Sequence, residues 1–297
     1  MGEKERDRWA AWLLERRHGG DPEDLRATME FLRPVRDRVL MNAGLTGGET
    51  LLDVGAGDGL IAFGALELVG DEGRVIFSDI SQDLLDYCRA LAREIGALDR
   101  CEFVRAPADD LSAFEDASVD AVTTRSVLIY VKDKRRAFEE FHRVLKPGGR
   151  LSIFEPINTF SYPEPPHLFH GFDVTPVRDL AHKVRAVYER IQPHGTDPML
   201  DFDERDLFDF AESAGFDEVF LEYEAKLTSG EPRWGISSWE HFIKVSGNPK
   251  IPTLGEAMQR ALTPREAERF TDHLRPLVEQ ARRRGRSAAN AYLSAVK

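Results

Sequence analysis

Leu51-Leu52-Asp53-Val54-Gly55-Ala56-Gly57-Asp58-Gly59-Leu60 is the stretch on which the fold turns. A short apolar strand runs into three glycines at alternate positions, and Leu60 to Val69 then has the apolar density of a helix. Glycine lets the chain turn tightly and lets a ligand approach main-chain atoms. The N-terminus of the following helix offers unpaired N–H groups to an anionic or polar ligand. In dinucleotide-binding loops the spacing is G-x-G-x-x-G. Here the third glycine falls one residue early, at Gly59, and an acid, Asp53, precedes the loop. A purely structural turn is the competing reading of a glycine-rich segment taken alone.

Outward from this loop, short apolar runs alternate with helical patterns. Strands are expected at Leu51–Val54, Gly73–Ser78, Cys101–Arg105, Ser118–Thr123 and Arg150–Phe154, and helices at Leu60–Val69, Leu84–Ile95 and Lys134–Val144. That alternation predicts an α/β fold whose mostly parallel sheet is covered on both faces, with right-handed crossovers. Before it, Glu3–Arg17 reads as an amphipathic helix, and a second helical stripe follows Asp21-Pro22, with Pro34 expected to kink it. After Glu155-Pro156 the rhythm breaks, and residues 157–201 hold six prolines and four histidines around one helix, Val177–Arg190. A helix over Glu204–Ser213 and a strand over Val219–Ala225 follow. Helices are then expected at Trp239–Val245, Leu254–Leu262 and Arg265–Arg283, the last opened by a Thr263-Pro264-Arg265-Glu266 capping box.

The chain has 297 residues, 42% of them hydrophobic, which is enough for a sizeable core and excludes wholesale disorder. A net charge of −12 argues against binding to phosphate backbones and to anionic membrane surfaces. Two cysteines, Cys88 and Cys101, make neither a disulfide framework nor a metal cluster, so no metal is expected. No signal-peptide pattern and no spanning apolar run is seen, and a cytoplasmic setting is expected.

The Gly55-Gly57-Gly59 spacing together with Asp53 resembles the loop of class I S-adenosylmethionine-dependent methyltransferases. Further segments in the right order strengthen the resemblance: Asp79 at the end of the second strand, Ala108-Asp109-Asp110-Leu111 after the third, Thr123 to Tyr130 off the fourth, and Leu145-Lys146-Pro147-Gly148-Gly149-Arg150 entering the fifth. The core is similar to that of the ubiquinone and menaquinone C-methyltransferases, over residues 48–156 and more loosely 203–226. Those enzymes often carry Gly-Asp-Ala after the third strand, where this chain has Ala106-Pro107-Ala108-Asp109.

The resemblance implies a Rossmann-like seven-stranded sheet in the order 3-2-1-4-5-7-6, with an antiparallel seventh strand and S-adenosyl-L-methionine as cofactor. Asp53, Gly55, Gly57, Gly59 and Arg125 would form the loop and the methionine end of its site. Asp79 would accept the ribose hydroxyls, Ile80 would lie against the adenine, and Ala108 and Asp109 would meet the adenine edge. An isolated Asp after a strand is otherwise a turn former or a helix cap. The expected organisation is N-terminal helices over the cofactor at 1–47, a core at 48–227 with a cap insertion at 157–201, a helical insertion at 228–287, and 288–297 as the final strand. A terminal helix at 288–297 is the alternative.

In the family the cofactor carries its own electrophile, so a general base is needed only if the acceptor sheds a proton. Tyr130, Glu155 and His170 are the catalytic candidates, with His167 and Trp234 as further acceptor contacts. Each has a bland reading: a packing residue for Tyr130, a loop hydrogen bond for Glu155, solvent-facing loop positions for the histidines. Trp9 and Trp12 read as helix-packing anchors, and the Arg282–Arg286 cluster as a solvated helix end. Phe160, Tyr162, Phe169, Phe172, Trp239 and Phe242 would make a water-excluding cap suited to a small, partly apolar acceptor. The expected reaction is methyl transfer to an O, N or C nucleophile of such a molecule, with no nucleic-acid or membrane partner and the oligomeric state left open. The rivals are a non-catalytic S-adenosylmethionine-binding protein and a nicotinamide-dependent oxidoreductase.

Overall fold

Strand β1 (Thr50–Val54) is buried from Leu51 to Val54, as a central strand with helices on both sides must be. The computed structural model that shows this describes residues 6–18, 22–227, 238–283 and 286–297. β1 pairs in parallel with β2 (Arg74–Asp79), which pairs with β3 (Cys101–Arg105). On its other side β1 pairs with β4 (Val119–Arg125), and β4 with β5 (Leu145–Pro156). A two-stranded hairpin, β6 (Leu168–Phe169) and β7 (Phe172–Asp173), stands apart. The main sheet is completed by β8 (Asp217–Leu227) and β9 (Arg286–Val296), with β9 antiparallel to both β5 and β8. The order is β3-β2-β1-β4-β5-β9-β8. The last strand in sequence therefore lies between the fifth and sixth strands of the sheet, as the resemblance implied, and the terminal-helix alternative is discarded.

The helices are α1 (Arg8–Ala11), α2 (Pro22–Ala43), α3 (Leu60–Val69), α4 (Gln82–Glu94), α5 (Lys134–Val144), α6 (Arg178–Ile191), α7 (Glu204–Ala214), α8 (Trp239–Phe242), α9 (Leu254–Ala261) and α10 (Pro264–Glu279). Caps written in the sequence set several of the starts. The Asp133 side chain accepts the Arg136 N–H, and the Thr253/Glu256 and Thr263/Glu266 capping boxes both close.

Several boundaries differ from expectation. The first helix gives one α-turn and then winds as a π-helix over Trp12–Arg16. α8 stops at Phe242 instead of Val245, and α10 at Glu279 instead of Arg283. Strand β5 starts earlier than predicted. Lys146-Pro147-Gly148-Gly149 forms a bulge within it, because Val119 pairs with Leu145 and Ala121 with Arg150. The cap at Asp21 and the aromatic Trp234 fall outside the described residues.

Three apolar clusters result. One packs α5 and α7 on one sheet face around Phe138, Phe141 and Leu293. A second packs α2, α3 and α4 on the other face around Phe77, Ala65 and Leu85. The third never touches the sheet's interior: Phe169, Phe172, Leu180, Val184, Trp239, Phe270 and Leu274 bury one another above it.

Candidate active site

A cavity of about 760 Å³ opens over the carboxyl ends of β1, β2, β4 and β5. That is where open α/β sheets bind ligands. Its floor brings together Gly55, Gly57, Asp79, Ile80, Ala108, Asp109 and Arg125, all of them singled out from the sequence. Its far wall carries Tyr130 and His170 with Tyr162, Tyr188 and Phe242 from the cap. The roof includes Trp9, Trp12 and Leu13, so the two tryptophans are cavity walls and not only packing anchors.

The three glycines of the loop all have positive φ, but they serve different ends. A Cβ on Gly55 would lie 2.2 Å from Val127 Cγ2, and one on Gly59 would lie 2.4 Å from the Phe63 ring. Both positions are glycine because the protein packs there. Gly59 does not line the cavity; it caps α3 at φ 85°. A Cβ on Gly57 would meet the flexible end of Leu13, Cδ2 at 3.2 Å, and the Gly55 carbonyl at 3.9 Å, so Gly57 is the least obstructed of the three.

Asp79 is 7% exposed. Its carboxylate accepts the N–H of Gly57 at 2.9 Å and that of Ser81 at 2.9 Å. It therefore ties the glycine loop to the β2–α4 turn while facing the cavity. Burial pushes its carboxyl above the usual range, against those two N–H bonds. The Ser81 hydroxyl in turn donates to Asp7 at 2.7 Å, and Asp7 caps α1 through the N–H groups of Trp9 and Ala10. This chain of contacts seats the N-terminal roof next to Asp79. Asp7 was missed in the sequence; an acid immediately before the Arg8-Trp9 helix start was the available signal.

Asp53 lies behind the loop, outside the cavity wall. Thr123 Oγ1 donates to its Oδ1 at 2.8 Å, while Oδ2 is buried with no partner. Desolvation pushes this carboxyl up to about 7. Arg125 lines the cavity with a buried, unpartnered Nε. The expectation that Asp53 contacts the ligand is corrected, because it is buried beneath the loop and braces Thr123. The unpartnered Arg125 Nε beside the glycine turn suits a carboxylate-bearing ligand, as the methionine moiety of S-adenosylmethionine is.

Glu155 is corrected. It is fully buried and outside the cavity, and its carboxylate accepts the N–H groups of Val127 at 2.8 Å, Leu128 at 2.9 Å and Ile129 at 3.4 Å. Desolvation raises it to about 7, against those three bonds. It props the loop after β4 and does not reach an acceptor. Tyr130 reaches the cavity, but burial holds its phenol well above the ordinary value and Trp9 packs edge-on at 4.9 Å, so it serves as wall. His167 is exposed and outside the cavity. Phe169, Phe172 and Trp239 form the cap's own core instead of lining the site, and Phe160 packs against the sheet cluster. Arg282 and Arg283 follow the end of α10, and Arg283 Nε donates to the His170 carbonyl at 3.2 Å. Among the described residues no group of His, Cys, Asp and Glu is arranged to hold a metal ion.

Residues 52–153 match a family model described as a methyltransferase domain. The ubiquinone/menaquinone biosynthesis C-methyltransferase UbiE of Escherichia coli O1:K1 is 34% identical over 187 residues, covering 60% of this chain and 70% of that protein. The chain belongs to the S-adenosylmethionine-dependent methyltransferases. The Enterobacter sp. protein of the same description is 39% identical over 113 residues, covering 38% of this chain and 45% of that one. This methyltransferase therefore spans less than half of the Enterobacter relative. A geranyl diphosphate methyltransferase solved with S-adenosylmethionine shares the fold, at a TM-score of 0.53 and 18% identity over 98% of this chain and 95% of that one. Membership displaces the nicotinamide alternative. Among the described residues no helix of the methyltransferase is long and apolar enough to cross a membrane.

Proposed function

We propose that this methyltransferase acts on a small, partly apolar molecule at an O, N or C nucleophile, held at the cap end of the cavity. One observation carries the reading: a single cavity runs from the Gly55–Gly57 turn and Asp79 to the rings of Tyr162, Tyr188 and Phe242. Its volume of about 760 Å³ lies in the range of small-ligand sites. When bound, S-adenosylmethionine supplies a methyl group on a sulfonium whose carbon–sulfur bond breaks with the electron pair staying on sulfur.

The chain's own residues bind and orient. The open Gly57 turn admits the cofactor, and Asp79 accepts from the ribose hydroxyls with the lone pairs its two N–H bonds leave free. Ile80, 40% exposed, lies against the adenine. The Ala108 N–H and the Asp109 carboxylate meet the adenine edge, and Arg125 meets the carboxylate. Trp9, Trp12 and Leu13 exclude water from above. His170 at the cap end takes the proton that an O–H or N–H acceptor releases. In this reading the N-terminal segment is the roof, the sheet is the core, and the described parts of 157–201 and of the expected 228–287 insertion form the cap.

The test is incubation with methyl-labelled S-adenosylmethionine and a panel of phenols, amines, carboxylic acids and quinols, alongside bulk RNA and protein. Label in one low-molecular-mass product supports the proposal. Label confined to RNA or protein refutes it. Saturable S-adenosylhomocysteine binding with no transfer to any class would favour the non-catalytic binder.

A further inference from the structure

We infer that Glu164 is a positioning residue: with Arg283 it clamps the turn that aims the His170 imidazole at the acceptor end of the cavity. The inference rests on the acceptor-end reading given above. Strands β6 and β7 are joined by His170-Gly171, and both residues have positive φ, 50° and 83°. Such a two-residue hairpin turn selects Asn-Gly or Asp-Gly most often; histidine is among the few other residues found in the left-handed region, at a cost glycine does not bear. A histidine there is strained, and strain persists only where the surroundings impose it.

The surroundings are visible. The Glu164 carboxylate accepts the N–H of His170 at 2.8 Å and that of Gly171 at 2.7 Å. Arg283 Nε donates to the His170 carbonyl. Both polar groups of the strained residue are thus held by side chains from outside the hairpin, whose strands of two residues each cannot fix the turn alone. The ring is bounded edge-on by Phe169 at 4.6 Å, Phe242 at 5.8 Å and Tyr188 at 6.4 Å. His170, Glu164, Tyr188, Phe242 and Arg283 all line the cavity. Of the five non-glycine residues with positive φ among those described, Ser126 and His170 line this cavity. A turn needed only to reverse the chain gains nothing from histidine at that position. A turn that must present an imidazole does. The sequence signal was His-Gly, a near relative of the Asn-Gly hairpin dipeptide, six residues after a glutamate.

The experiment uses the full chain with isotope-labelled histidine, saturated with S-adenosylhomocysteine. The His170 imidazole signals are identified by their loss in His170→Asn, which tolerates positive φ. In the native chain these signals are expected sharp and of one tautomer. In Glu164→Ala they are expected to move to the averaged position of a freely rotating imidazole, with S-adenosylhomocysteine affinity within twofold of native. Glu164→Gln, with one carbonyl acceptor, should fall between. Native-like His170 signals in Glu164→Ala would overturn the clamp. If Glu164→Ala does not fold, Arg283→Ala is read in the same way. Failure of the native chain to bind S-adenosylhomocysteine would instead overturn the cofactor site, a separate result.

Discussion

Replacing Asp79 by Ala separates two roles that one carboxylate plays. In the protein it holds the Gly57 and Ser81 N–H groups, each at 2.9 Å. Gly57 borders the cavity and can regain water, but Ser81 is 1% exposed and cannot. Leaving that buried donor unsatisfied costs about 1–3 kcal/mol. At about 2–4 °C per kcal/mol for a domain of this size, the melting temperature should fall by about 2–12 °C. The cofactor loses hydrogen bonds to a charged acceptor, about 1.5–3 kcal/mol, or roughly a 10- to 150-fold weaker Kd for S-adenosylhomocysteine. Asp79→Asn keeps one oxygen for one of the two N–H groups and turns a donor toward the other, so its stability should lie between the native chain and Asp79→Ala. Thermal unfolding and calorimetric titration of the same samples read both effects. A lowered melting temperature with affinity within twofold of native would make Asp79 a strut of the loop only, and the ribose assignment would be wrong.

Gly57→Ala and Gly59→Ala should fail differently. The first should keep its fold and lose S-adenosylhomocysteine affinity, while the second, with a Cβ 2.4 Å from Phe63, should lower the melting temperature first; equal effects on titration and melting would refute the distinction. The Asp53 carboxyl, raised by burial to about 7 from 3.8, keeps its proton in the folded chain where the unfolded chain has lost it. Its contribution to stability is thus full below about pH 4 and is lost as pH rises through about 7. Asp53→Asn should flatten that part of the melting-temperature profile between about pH 4 and 7, and an unchanged slope would contradict the assignment. Trp12 Nε1 donates to the Ser246 carbonyl at 2.9 Å, tying roof to cap. Trp12→Phe should melt within a few degrees of native yet release S-adenosylhomocysteine several-fold faster in stopped flow; an unaltered off-rate would show that the bridge does not hold the cavity shut.

The strand order, and the gathering of Gly55, Gly57, Asp79 and Asp109 at one end of the cavity, were legible because local chemistry writes them. Strand, glycine turn and helix are contiguous, and Asp79 and Asp109 each follow a strand whose place in the sheet is forced by the alternation. What the sequence hid depends on three-dimensional direction. Glu155 and Arg125 both end strands, yet one side chain turns into the loop after β4 and the other into the cavity. Gly55 and Gly59 look like ligand glycines, and their need for glycine comes from Val127 and Phe63, residues whose approach no spacing reveals. The aromatic cap was legible as composition, but which rings face the ligand was not, since Phe169, Phe172 and Trp239 satisfy one another. Helix ends shifted where the last turn had little to bury, as at Arg282 and Arg283.

The third apolar cluster carries a consequence for how this chain can change over generations. Because the cap buries its own rings, substitutions around Phe242, Tyr188 or Leu254 draw on a reserve of stability separate from the two clusters that hold the sheet. On the proposed function, the acceptor end of the cavity can therefore be rebuilt while the glycine-turn end stays as it is. Divergence of this lineage toward new acceptors should leave its record above the sheet, in residues 157–201 and 238–283, and spare the strands below.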